Sequence, residues 1–213
     1  MLCVRDLACT RAGRPVFSGL SFSAQAGQIV QVRGANGSGK SSLLRLLCGL
    51  LPPTRGEVHW QGRMIAEPDS GFTSQVAYLG HADGLRGELT LSENLNFSLH
   101  IAGVRPDTAV TRTVMTRLQL AGRESDQVRL LSQGQRRRLA LARVLLSQRP
   151  LWLLDEPQAG LDADGEDVLQ ACLAEHAQGG GLAVVATHHA GNGDTLDMDA
   201  LKDATRSDYY HRP

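Results

Sequence analysis

Gly34, Ala35, Asn36, Gly37, Ser38, Gly39, Lys40 and Ser41 spell G-x-x-x-x-G-K-S, and no other run constrains this chain as tightly. The apolar stretch 28–32 before it reads as a strand, and 41–50 after it reads as a helix that Gly49 and the pair Pro52, Pro53 bring to an end. A glycine loop between strand and helix turns backbone N–H groups inward around phosphate oxygens, and the helix N-terminus adds partial positive charge there. Lys40 can reach the β- and γ-phosphates of a nucleotide, the Ser41 hydroxyl can ligate Mg²⁺, and Ser42 follows in the same turn. The plain alternative is a glycine-rich turn before a core helix, and the flanking strand and helix argue against it.

Further short apolar runs continue the pattern. Val58 to Gln61 and Val76 to Leu79 read as strands, as do Leu151 to Leu154 and Leu182 to Ala186. The last two are short and continuous, which suits strands buried on both faces of a parallel sheet. Thr90 and Glu93 have capping-box spacing and predict a helix through Leu99. The stretch from about 82 to 148 has helical periodicity and few strand signals, so it reads as a helical subdomain inserted between core segments 1–81 and 149–189. From 190 onward the chain turns polar; a loosely or partly packed tail is expected, with no strand legible between Asp194 and Pro213.

Leu151 to Leu154 runs into Asp155 and Glu156. In an open parallel sheet the carboxyl ends of strands face the ligand crevice, where the phosphate loop also sits. Neighbours on a strand point to opposite faces, so the two acids take different jobs. Asp155 would hold the Mg²⁺ shell and Glu156 would polarise an attacking water. A solvated acidic turn before Pro157 is the bland alternative.

Composition excludes several classes. Lysine plus arginine equals aspartate plus glutamate at 22 each, so there is no basic footprint for nucleic acid. Cys3, Cys9, Cys48 and Cys172 lack C-x-x-C spacing, which reads as reduced thiols rather than a zinc site or disulfide framework. The most apolar stretch, 43–51, carries Arg45 and falls far short of the roughly 20 residues of a membrane span, so membrane association would come through a partner.

Leu131, Ser132, Gln133, Gly134 and Gln135 precede a helix with Leu139, Ala142 and Leu145 on one face. Ser132 and Gln135 have capping-box spacing, and a serine-capped helix N-terminus is also a phosphate site. The basic run Arg136 to Arg138 reads as a solvated helix face. This segment resembles the signature loop of the ABC ATPases, with Gln133 in place of the usual first glycine. Residues 157–162, ending in Asp162, resemble the family's D-loop, and Thr187 with His188 resembles its switch histidine. The motifs keep the family's order over roughly residues 2 to 189. The resemblance implies an α/β P-loop NTPase with a central, mostly parallel sheet, an antiparallel β region and the inserted helical subdomain. It further implies two ATP molecules, with Mg²⁺, held at the interface of a head-to-tail dimer. Ser132 and Gly134 of one copy would contact the γ-phosphate held by Lys40 of the other, and His188 would fix that phosphate and the attacking water.

Two positions depart from the usual pattern. His81 stands where the family usually carries a glutamine that senses Mg²⁺ and the γ-phosphate; an imidazole can serve there as a shorter ligand or donor and brings histidine's sensitivity to pH. Arg11 stands where an aromatic usually stacks on adenine, and a guanidinium can also stack on a base. Cys9 and Arg11, His59 to Gly62, Tyr78 to Leu85 and Glu88 to Leu95 together resemble the ATP-binding subunit of the bacterial haem exporter of cytochrome c maturation. That resemblance implies a peripheral protein on the cytoplasmic face of the inner membrane. It would bind small permease subunits and act indirectly on a membrane-bound haem chaperone. A soluble ABC ATPase working on DNA or ribosomes is less well matched, since the chain has neither a second cassette nor a coiled-coil insertion. A regulatory module with little turnover conflicts with intact Lys40, Asp155, Glu156 and His188.

Overall fold

A computed structural model describes residues 1–105, 107–188 and 194–200. The chain opens with an antiparallel pair, β1 (Leu2–Arg11) and β2 (Arg14–Ala24), followed by β3 (Ile29–Arg33), the phosphate loop and α1 (Lys40–Leu47). Next come β4 (Arg55–Trp60), the short β5 (Arg63–Met64) and β6 (Val76–Leu79). Helices α2 (Leu91–Ile101), α3 (Thr108–Arg117) and α4 (Gln133–Ser147) lead to β7 (Leu151–Asp155). The chain then runs through α5 (Ala163–Gln178), β8 (Leu182–Ala186) and β9 (Asp194–Asp197).

Two sheets result. One has the order β2-β1-β4-β5 and is antiparallel throughout; the other has the order β6-β7-β8-β3-β9 and is parallel throughout. The parallel strands are near-continuous apolar runs because both of their faces are covered. Side chains along β7 alternate between two cores. Leu151 and Leu153 join the core built on α1 and the antiparallel sheet, whereas Trp152 and Leu154 join the one built on α2, α4 and α5. The same alternation divides Leu182 and Val184 from Ala183 and Val185 on β8.

Both capping boxes form. Thr90 Oγ1 accepts from Glu93 N while Glu93 returns a bond to Thr90 N, and Ser132 with Gln135 does the same at the start of α4. One expectation needs correction. A strand does form after His188: Val30 to Arg33 pairs in parallel register with Asp194 to Asp197, which covers the edge of β3. The described part of the tail is partly packed, with Met198 fully buried in the α1 core while Asp194, Thr195, Asp197 and Ala200 are exposed; the other tail residues lie outside the described set. Four polar-rich residues carry almost no strand signal of their own, and the open backbone edge of β3 supplies what propensity does not.

Candidate active site

The phosphate loop is tightly folded on itself. Gly34 has φ 147°, and a Cβ there would lie 2.5 Å from Ser38 Oγ and 3.1 Å from Met198 Cβ, so only glycine fits. Ser38 is buried and its hydroxyl has no hydrogen-bond partner among the described residues. Lys40 is buried too, and its ammonium donates to Gly34 O at 2.7 Å and Ala35 O at 3.2 Å. Ala35, Asn36 and Gly37 face solvent, and α1 begins after Gly39 with no side-chain cap. An ammonium held only by carbonyls beside an uncapped helix start is arranged for an anion, because phosphate oxygens make stronger, charge-assisted bonds.

The β1–β2 hairpin backs this loop. A Cβ on Gly39 would lie 2.7 Å from Val16 Cγ1, and Ser42 hydrogen-bonds the Cys9 side chain. Burial pushes the Cys9 thiol up, with the Arg11 guanidinium and the Ser42 bond working against that rise. Arg11 itself is exposed at the end of β1, next to the turn.

Asp155 and Glu156 separate as the strand period requires. Asp155 shares its face with Leu151 and Leu153, on the α1 side; it is 1% exposed and its Oδ2 has no partner among the described residues. Glu156 leaves the strand with φ 49°, a left-handed conformation that costs a non-glycine residue about 1–2 kcal/mol. Glu156 N still donates to Ala186 O at 3.0 Å, which keeps the turn against the end of β8. Its carboxylate then meets two imidazoles: His188 Nε2 lies 2.8 Å from Oε1 and His81 Nδ1 lies 3.9 Å from Oε2. A further bond, from Gln158 Nε2 to Thr187 Oγ1 at 2.9 Å, ties the two loops together. The fold thus gathers Lys40, Asp155, Glu156, His188 and His81 at the carboxyl ends of parallel strands. Among the described residues no group of three or more His, Cys, Asp or Glu side chains can hold a metal alone.

The signature segment lies on the far side of β7 and touches the D-loop. A Cβ on Gly134 would stand 2.8 Å from Gly160 O, and the Gln133 side chain packs over Gly160. Asp162 caps α5 by accepting from Gly165 N and pairs with Arg138; these two bonds hold its carboxyl below the usual range. Ser132 and Gln133 are exposed.

The basic run on α4 is not a solvated face. Arg137 and Arg138 are 2% and 8% exposed, because backbone carbonyls and acids converge on them from β7, the His81 segment and the D-loop. Sequence reasoning missed Arg137, Asp83 and Asp199. The Asp199 carboxylate accepts from Ala35 N in the phosphate loop at 2.8 Å. Their partners lie 54 to 164 residues away for the Asp83–Arg137 and Asp199–Ala35 pairs, so no local spacing announces them.

The sequence profile of the family described as ABC transporter matches residues 17–159. The cytochrome c biogenesis ATP-binding export protein CcmA of Cupriavidus pinatubonensis is 46% identical over 200 residues, covering 93% of this chain and 88% of that protein. The protein of the same name from Bordetella bronchiseptica is 47% identical over 205 residues, covering 93% and 90%. Among solved structures, an ABC transporter ATP-binding protein from Pyrococcus furiosus superposes with a TM-score of 0.84 at 21% identity, covering 94% of this chain and 98% of that one.

Proposed function

The chain belongs to the ABC transporter family, and from that membership we propose that it is the ATP-hydrolysing subunit of a membrane complex serving cytochrome c biogenesis. The observation that carries the reading is Glu156, turned out of the strand beside a buried, partnerless Asp155 oxygen and held 2.8 Å from His188. ATP is the substrate. Gly34 to Ser42 cradle its phosphates, with Lys40 exchanging two loop carbonyls for phosphate oxygens. Arg11 would stack on the nucleotide's base.

In the reaction a water oxygen bonds to the γ-phosphorus while the bond to the bridging oxygen breaks, and ADP leaves with that electron pair. Glu156 orients the water and takes its proton, and His188 holds the carboxylate and the γ-phosphate in line. A magnesium ion fits the site, since Asp155 Oδ2 is buried without a partner among the described residues. Ser41 and Asp155 would hold it, with His81 alongside. Bound there, it would supply charge neutralisation across the β- and γ-phosphates.

The site needs a second copy, whose Ser132 and Gly134 complete it from the opposite side, with the D-loop Asp162 segment at the same seam. ATP then favours the closed pair only as far as it binds that state more tightly than the open one. No helix among the described residues is long and apolar enough to cross a membrane, so contact with the bilayer runs through permease subunits. The complex sits at the cytoplasmic face of the bacterial inner membrane. Its cargo is haem, released indirectly from a membrane-bound chaperone. The haem assignment rests on the likeness of the segments around Arg11, His59 and His81 to the haem-exporter subunits, and on the cytochrome c biogenesis relatives.

Glu156→Gln is expected to accumulate an ATP-bound dimer on size-exclusion chromatography and to lose turnover. A variant that stays monomeric with ATP would rule out the sandwich. Affinity purification from detergent-extracted membranes is expected to bring permease subunits with the chain; recovery of this chain alone would rule out the transporter complex.

A further inference from the structure

One guanidinium holds the backbone of the hydrolytic carboxylate. Arg137 sits in the second turn of α4, 2% exposed. Its Nη2 donates to Asp155 O at 2.6 Å and Glu156 O at 2.7 Å, and its Nε donates to Pro157 O at 3.2 Å. Nη1 points the other way, to Gly80 O at 3.0 Å and the Asp83 carboxylate at 2.9 Å. Three consecutive carbonyls converge on the fork because the chain turns left-handed at Glu156. Gly80 and Asp83 flank His81, and Arg143 on the same helix also grips that segment through Asp83 O and Gly84 O.

We infer that Arg137 is a positioning residue for hydrolysis. It fixes the left-handed turn that aims Glu156 and holds the His81 segment against the same carboxylate. The inference rests on the hydrolase reading above and deepens it. The fork geometry is essential to the role: a rigid planar cation can serve two backbone segments at once, and a single ammonium cannot. The turn at Glu156 is strained and persists only while its surroundings over-determine it. The first five residues of α4, Gln133 to Arg137, also tie the signature segment directly to that turn.

The test is steady-state ATPase of the purified full chain carrying Arg137→Lys, beside wild type, with circular dichroism and thermal unfolding on each. Lysine keeps the charge and loses the fork. The expected result is a kcat lower by about 10- to 100-fold, the usual cost of a misplaced reacting group, with KM for ATP unchanged. Asp83→Ala removes one of the two acceptors that Nη1 meets on the His81 side and covers the case in which Arg137→Lys does not fold. It is expected to lower kcat by a smaller factor, again at constant KM. Folded Arg137→Lys with wild-type kcat overturns the inference. So does a loss that merely tracks the unfolded fraction while Asp83→Ala keeps full kcat. Wild-type protein that hydrolyses no ATP overturns the hydrolase reading itself, and this role with it; wild-type turnover confines any failure to Arg137.

Discussion

Ser132 can be a helix cap, a phosphate ligand or both, and a second capping box in the same chain separates these roles. Thr90 and Ser132 have matching local geometry: each hydroxyl accepts the N3 amide at 3.2 Å, and each N-cap amide is bonded in return by the N3 side chain, at 2.8 Å from Glu93 and 2.9 Å from Gln135. Replacing an N-cap hydroxyl by alanine costs about 1 kcal/mol. For a domain of this size that lowers Tm by roughly 2–4 °C. Thr90→Ala and Ser132→Ala should therefore destabilise to a similar extent in thermal unfolding without nucleotide. Only Ser132→Ala should lose ATPase activity beyond what its folded fraction explains, because Ser132 is exposed at the start of the signature helix. The loss should be about 10-fold or more if a charge-assisted bond to phosphate, worth about 1.5–3 kcal/mol, disappears from the transition state. Equal ATPase in the two variants, normalised to folded protein, would reduce Ser132 to a cap and refute the two-copy site built on it.

Two further outcomes follow from packing and burial. Gly134→Ala places a methyl 2.8 Å from Gly160 O, backbone against backbone, so the signature segment and D-loop must separate; ATPase should fall while circular dichroism keeps the wild-type helix content. His176 is stacked on Trp152 at 3.8 Å, and burial lowers its pKa below the ordinary 6.5. The folded state thus prefers the neutral ring: its contribution is complete above 6.5 and is lost as pH falls from there towards the lowered folded-state pKa. His176→Phe should flatten the fall in Tm on the acid side of neutrality, and an unchanged slope would show that other groups set it.

The parts legible in the sequence are those whose partners are close along the chain. The phosphate loop joins Gly34 to Ser38 and Lys40 across a few residues, and the capping boxes join positions three apart, so backbone geometry follows directly from spacing. The apolar run 151–154 declared a strand buried on both faces, and its period alone separated Asp155 from Glu156. What tertiary structure decided involves groups distant along the chain. Whether Arg136 to Arg138 met water or carbonyls depended on β7 and the His81 segment arriving beside α4; only then did a buried cation become satisfied rather than prohibitive. The strand at Asp194–Asp197 likewise exists because β3 left an edge to be paired. Local spacing encodes the shape of a loop or a cap, whereas the surroundings of a charge or an edge exist only after the chain has closed on itself.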